Sequence, residues 1–285
     1  MFSIAKAYAY LYVFASKVLG YQIPGLGFML RQCKNPRFIN FHDEQLYFEP
    51  AVASSYGLHI INRPHEPESH AFLNFVFDQV RAEKSFFVDV GANIGIFMVD
   101  LARRAKVHVI GFEPSAGCVR AIEQTMAANR RTNFSVFNSL VGDEEMYLPF
   151  DGGSDPQGAS VYNSQETNRR VKQIKLDNVA ILNDIKPGGV MVLMIDVEGY
   201  EPNVLRGARE LITKLKPLII FEYNFVSKQH FEMNDIRQLL GDQYDIFRLR
   251  KDAMLDGDVV NAWNCVAVPR NSEFEGILQQ RICAA

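Results

Sequence analysis

The chain has 285 residues, 48% of them hydrophobic, and a formal net charge of -3. That size supports one large core with an appendage, and the charge offers no long-range attraction to nucleic acid. Cys33, Cys118, Cys265 and Cys283 lie far apart without CxxC or Cys/His ligand spacing, which excludes a legible zinc site and fits the reduced thiols of a cytoplasmic protein.

The first apolar run, Ala7 to Ala15 (AYAYLYVFA), lies between Lys6 and Lys17. It is too short for a bilayer span, which needs about 20 apolar residues. It also lacks the basic start and small-residue cleavage site of a signal peptide. Pro24, Gly25 and Gly27 interrupt any helix that runs on. Residues 1–30 therefore have two readings: a helix packed on the domain or on a second copy, or a Tyr-rich helix in weak contact with a membrane surface. Residues 1–70 as a whole read as a helical or irregular extension. His59, His65 and His70 cluster at its end, where His65-Glu66-Pro67-Glu68-Ser69-His70 is either a polar linker or the lip of a substrate entrance.

From about Phe72, short β-rich runs alternate with helix-length segments, the signature of a mostly parallel sheet covered by helices on both faces. Ser85–Val90 (SFFVDV) predicts a buried strand, and Ile94–Arg104 a helix. Val107–Phe112 (VHVIGF) is the second strand, followed by a helix over Ser115–Asn129 with Ser115 as N-cap. Phe134–Asn138 is the third strand. Gly142 to Asn178 shows no periodicity, and its Asp151–Gly158 stretch reads as a turn-rich loop, either plain surface or facing a substrate. Val190–Ile195 (VMVLMI) restores the pattern and leads into a helix over Glu201–Leu215, with Pro202 harmless in its first turn. Pro217–Tyr223, a helix over Phe231–Leu240, Tyr244–Leu249 and Ala262–Val268 complete the set. The domain is expected over residues 71–270, with 271–285 a peripheral tail.

In such a sheet, ligands bind beyond the carboxyl ends of the strands. Asp89, Glu113, Asn138 to Ser139, Asp196 with Glu198, and Glu222 all fall at those ends. Gly91 allows a sharp turn and close approach of a ligand, and Gly95 allows the next helix to sit tight against the strand. A dinucleotide site requires G-x-G-x-x-G to seat a pyrophosphate. Here the spacing is G-x-x-x-G, with Asn93 in the place of the middle glycine, so a smaller zwitterionic adenosyl ligand fits better. Glu113, at the end of the second strand, has two acceptor oxygens for ribose hydroxyls.

These segments resemble the FkbM-type methyltransferases. The matches are Phe87-Val88-Asp89-Val90-Gly91-Ala92-Asn93-Ile94-Gly95, Gly111-Phe112-Glu113-Pro114, Leu140-Val141-Gly142-Asp143, Ile195-Asp196-Val197-Glu198-Gly199-Tyr200-Glu201 and Val204-Leu205-Arg206-Gly207-Ala208. The resemblance implies a Rossmann-like α/β fold: a seven-stranded methyltransferase sheet, mostly parallel, with an antiparallel last strand. It also implies S-adenosylmethionine bound by Asp89, Gly91, Ala92, Asn93, Gly95, Glu113, Pro114, Ser139 and Asp196, and methylation of a hydroxyl on a sugar or secondary-metabolite acceptor. Where the family carries a Gly-Ser-Ser-Leu-like piece, this chain has Gly158-Ala159-Ser160-Val161, so no substrate role is carried over to Ser160.

An alcohol oxygen is a poor nucleophile while protonated, so the chemistry calls for a general base. Asp196 is the first candidate, with Glu198 sharing that role or holding the acceptor; the alternative is that either acid caps the following helix or touches the cofactor. A carboxylate pair suits Mg²⁺, but no third ligand is identifiable, so no metal is expected. An NAD(P)-dependent oxidoreductase is the competing enzyme class, disfavoured by the glycine spacing and by the lack of a Tyr-x-x-x-Lys pattern. A non-catalytic binding protein that keeps the fold is the other alternative.

Overall fold

The computed structural model describes residues 37–41, 43–48, 66–150, 162 and 168–283. The aromatic run of residues 1–30, Cys33, His59, His65, the Asp151–Gly158 loop and Ser160 lie outside the described residues.

Among the described residues, a hairpin of β1 (Arg37–Phe41) and β2 (Glu44–Phe48) comes first, then helix α1 (Pro67–Gln79). Next come β3 (Ser85–Val90), α2 (Ile96–Leu101), β4 (Val107–Phe112), α3 (Ala116–Ala128) and β5 (Phe134–Phe137). The short strands β6 (Leu140–Val141), β7 (Met146–Pro149) and β8 (Arg170–Ile174) precede α4 (Ala180–Asn183) and β9 (Val190–Ile195). Helices α5 (Glu201–Arg206) and α6 (Arg209–Leu215), β10 (Leu218–Glu222), α7 (Met233–Leu240) and β11 (Tyr244–Leu249) follow. The two-residue β12 (Leu255–Asp256), β13 (Asn264–Pro269) and α8 (Glu273–Leu278) are the last strands and α-helix among the described residues.

The main sheet runs β12-β11-β13-β10-β9-β3-β4-β5. β13, the last strand in sequence, is antiparallel to both β10 and β11, whereas β10, β9, β3, β4 and β5 pair in parallel. This is the expected methyltransferase-like sheet, with the two-residue β12 added at one edge as an eighth strand. β3 and β9 are buried at every position, so β9 reads as a continuous apolar run rather than an alternating one, and β3 departs from that only at Ser85 and Asp89. Their side chains still divide by parity. Val190, Val192 and Met194 join α1, α2, α3 and α8 on one face, while Met191, Leu193 and Ile195 join α5, α6 and α7 on the other.

Three local features differ from the sequence reading. The single helix expected over Glu201–Leu215 is two helices. The Gly207 carbonyl is taken by the Asp177 N–H at 3.0 Å, and the Asp177 carboxylate accepts the N–H groups of Glu210 and Leu211 to start α6. A long-range contact thus ends one helix and caps the next. The aperiodic region after Gly142 contains a separate three-stranded sheet, ordered β6-β8-β7. The tail is not peripheral throughout, because α8 buries Phe274 and Leu278 in the core beside α1. No helix among the described residues is long and apolar enough to cross a membrane.

Candidate active site

Strand register brings the special residues to one edge. Val90 lies opposite both Phe112 and Ile195, and Ile195 lies opposite Phe221. The residues just beyond them (Gly91, Glu113, Asp196 and Glu222) therefore emerge side by side where the chain crosses from one half of the sheet to the other. Main-chain bonds lock this edge. The Gly91 and Ala92 N–H groups donate to the Phe112 carbonyl at 2.9 and 3.1 Å, and the Asp196 N–H donates to the Val90 carbonyl at 2.9 Å.

Asp89, Gly91, Ala92, Asn93, Phe97 and Asp196 line one cleft. Gly91 has φ 89°, and a Cβ there would sit 1.9 Å from the Asp196 carbonyl oxygen. The close approach expected at Gly91 is thus made by the β9 loop itself. Gly95, with φ 80°, is the N-cap of α2, and its added Cβ would meet Ile122 of α3 at 2.8 Å; the tight packing it permits is helix to helix rather than helix to strand. Asn93 also has positive φ, 52°, a conformation that asparagine tolerates better than most side chains. Its N–H donates to Glu113 Oε2 at 2.9 Å, and the Ser115 N–H donates to Oε1 at 2.7 Å. Each carboxylate oxygen has a second acceptor site, so Glu113 is held in place with capacity left for ligand hydroxyls.

On the other half of the edge the groups are mainly acids. One carboxylate oxygen each from Asp196, Glu198 and Glu222 lies within 4.8 Å of the others. Glu222, named at a strand end but assigned no role from the sequence, is thus the third member of the Asp196–Glu198 pair. Glu201 is fully buried, and its Oε1 accepts the Val197 N–H at 3.1 Å, bracing the loop between Asp196 and α5. The N-cap of α5 is Tyr200, which makes no side-chain capping bond.

Proton affinities throughout the site are shifted upward. Burial, then the Glu113 and Glu66 carboxylates, lifts Asp89 to about 8. Burial lifts Glu113 to about 7 against the Ser115 and Asn93 N–H groups. Burial, then Glu222, Glu66, Glu198 and Glu201, holds Asp196 well above the usual carboxylate range, and burial raises Glu198 as well. Glu222 reaches about 8 through burial and then Glu198, Glu201 and Glu66, opposed by its contact with Asp196. Acids crowded in this way bind protons or cationic ligands.

Ser139 stands apart from the Asp89–Asp196 cleft. It is buried and lines a second concavity with Asn138, Lys172 and Lys175. Pro114 is half-buried, and its carbonyl accepts from the Asn138 side chain at 2.9 Å. The segment read as a polar linker begins α1 at Pro67. Its His70 is buried, with Nδ1 2.7 Å from Asp100 Oδ2, and stacks on Phe97 of the cleft. Glu66 accepts from Asn264 at 2.7 Å, which ties α1 to β13. The sequence reading gave Glu66 no role at the acid cluster, because its distance in sequence conceals the contact. The exposed Phe225 and Trp263, 78% and 58% accessible, also escaped it; their only signal is their place beside strand ends carrying the site acids.

The sheet order, the antiparallel last strand and the ligand cleft at the carboxyl edge define a Rossmann-like methyltransferase fold. Residues 89–247, more than half of the chain, match the Methyltransferase FkbM domain, and the chain belongs to that family. No curated protein matches it. Among solved structures it is similar to the methyltransferase FkbM from Methylobacillus flagellatus KT, at 17% identity and a TM-score of 0.48, covering 70% of this chain and 47% of that one. This chain thus spans about half the length of that relative. It is also similar to a Pyrococcus abyssi tRNA (uracil-54, C5)-methyltransferase in complex with S-adenosyl-L-homocysteine, at 14% identity and a TM-score of 0.40, covering 82% and 44%. An rRNA methylase from Streptococcus thermophilus is similar at 11% identity and a TM-score of 0.39, covering 70% and 93%.

Proposed function

We propose that the protein is an S-adenosylmethionine-dependent O-methyltransferase acting on a hydroxyl of a sugar or secondary-metabolite acceptor. The observation that carries this reading is the division of one cleft edge between a backbone-braced carboxylate, Glu113, and a group of acids at Asp196, Glu198 and Glu222.

The residues on the β3–β4 side suit the cofactor. Glu113 retains acceptor sites for ribose hydroxyls. Asp89 is 2% exposed, and its Oδ2 has no hydrogen-bond partner among the described residues, as expected of a group whose partner is an ammonium or an ordered water. Gly91, Ala92, Asn93 and Gly95 shape the turn; Pro114 follows Glu113 directly, and Ser139, in the neighbouring concavity, stays a candidate for the far end of the cofactor. The bound cofactor supplies a methyl group on a positively charged sulfur.

The β9–β10 side suits the acceptor. Asp196, with its raised proton affinity, takes the hydroxyl proton as the acceptor oxygen acquires the methyl group. Glu198 holds the hydroxyl in line, and positioning accounts for much of the rate in such a displacement. Phe225, three residues beyond Glu222, and Trp263, whose carbonyl accepts the Tyr223 N–H, expose rings that offer stacking surface to an acceptor. Residues 1–30 remain candidates for weak membrane-surface contact or self-association, and the cytoplasm is the proposed compartment.

Calorimetric titration with S-adenosylmethionine, S-adenosylhomocysteine and NAD(P)H tests the cofactor assignment. The two sulfur nucleosides are expected to bind, and binding of the nicotinamide alone would overturn it. With methyl-labelled cofactor and cell extract, label is expected in a methyl ether; label on nitrogen or sulfur would remove the hydroxyl assignment.

A further inference from the structure

We propose that Asp196, Glu198 and Glu222 form a binding site for a hard divalent cation, such as Mg²⁺ or Mn²⁺, with an acceptor hydroxyl completing its coordination. This rests on the methyltransferase reading above and adds a ligand to the acceptor half of the same cleft.

Geometry comes first. One carboxylate oxygen from each residue lies within 4.8 Å of the other two. Around a six-coordinate cation with bonds of about 2.1 Å, neighbouring ligand oxygens stand about 3 Å apart and opposite ones about 4.2 Å apart. A modest contraction brings the three oxygens to that spacing. The donors are all carboxylates, which favours Mg²⁺ or Mn²⁺ over zinc or copper.

An orphaned acceptor is the second observation. Glu222 is 6% exposed, and its Oε2 is buried with no hydrogen-bond partner among the described residues. A buried carboxylate oxygen without a donor is costly.

Charge is the third. The groups acting most strongly on Asp196 are carboxylates: Glu222, Glu66, Glu198 and Glu201. On the cofactor side, Asp89 and Glu113 suffice for the ammonium and ribose of the proposed ligand. A divalent cation adds positive charge among the three clustered acids across the cleft. With the acceptor oxygen bound, the cation lowers the acidity barrier to its deprotonation. The protein supplies three ligands, which leaves positions for water and for that oxygen.

The test uses the intact protein, stripped with a chelator and titrated with Mn²⁺ by electron paramagnetic resonance and calorimetry, with and without S-adenosylhomocysteine. One Mn²⁺ per chain is expected, displaced by Mg²⁺. Glu222→Gln and, separately, the more accessible Glu198→Gln should each weaken Mn²⁺ binding at least tenfold, with folding checked by circular dichroism. Glu83→Gln, on the exposed surface, should leave it unchanged. Equal Mn²⁺ binding by wild type and both cluster variants would overturn the site, as would no saturable binding by the wild type at millimolar Mn²⁺. If Glu222→Gln does not fold, Glu198→Gln decides. Binding of S-adenosylhomocysteine without Mn²⁺ binding would sink the cation site alone, whereas failure of the nucleoside to bind would sink the cofactor reading.

Discussion

The two halves of the cleft edge are built from the same residue type by opposite means. On the β3–β4 side, Glu113 receives two backbone N–H groups, from Asn93 and Ser115. On the β9–β10 side, Asp196 and Glu222 lie against each other and near further acids. A carboxylate braced by fixed donors is a positioning device, and its geometry persists when the ligand leaves. Carboxylates braced by one another form a reservoir for protons or cations, and their charge state changes with what is bound. The halves meet at Gly91, where the turn after β3 rests on the Asp196 carbonyl.

Gly91→Ala strikes that junction and should have the largest effect. Its Cβ would lie 1.9 Å from a backbone oxygen, at a φ unfavourable to alanine. A loss of about 4 kcal/mol or more is expected in chemical denaturation, in the range reserved for severe core defects, together with loss of cofactor binding. Stability within about 1 kcal/mol of wild type would mean that the two halves are not rigidly joined.

Paired substitutions should then separate the halves. Asp196→Asn should lower turnover on the order of 10²–10⁴-fold under saturating cofactor, as loss of a general base does, with nucleoside affinity nearly unchanged. Glu113→Ala should do the reverse, weakening S-adenosylhomocysteine by about 1.5–3 kcal/mol per charge-assisted bond lost. Unchanged turnover in Asp196→Asn would remove the base assignment, and unchanged affinity in Glu113→Ala would remove the ribose contact.

The smallest effect is in the pH dependence of the ligand-free protein. Asp89, Glu113 and Glu222 titrate at about 8, 7 and 8 when folded, above their unfolded values near 4. The folded state therefore holds protons that the unfolded chain has released. That contribution to stability is complete below about pH 4 and is lost as pH rises through about 7–8. Urea midpoints should fall over that upper range, and S-adenosylmethionine should flatten the decline. A midpoint rising from about pH 6 to 8.5 would contradict the upward shifts that define the acid cluster.

Much of this architecture was legible because the strands bury both faces. Ser85–Val90, Val107–Phe112 and Val190–Ile195 are mainly apolar runs, polar only at Ser85, Asp89 and His108, and their ends coincide with the observed strand ends. The Ser115 cap was legible for a local reason, since its hydroxyl accepts the N–H of Cys118 three residues on. The break between α5 and α6 was not, because Asp177 makes it from more than thirty residues away. The sheet within 140–174 was hidden by its short strands, two of them with strongly exposed positions.

The site divides in the same way. Sequence by itself determined which residues stand at the strand ends (Asp89, Glu113, Asp196, Glu198 and Glu222), because strand periodicity and the turns that end it are local properties of the chain. Only the tertiary structure decided which of them meet. Parallel register sets Ile195 opposite Phe221, so Glu222 joins Asp196 and Glu198 as a third acid. Register depends on hydrogen bonds between strands far apart in sequence, and packing of α1 against β13 likewise brings Glu66 toward the site. The acids are written in the chain, and their crowding arises only when the sheet closes around them.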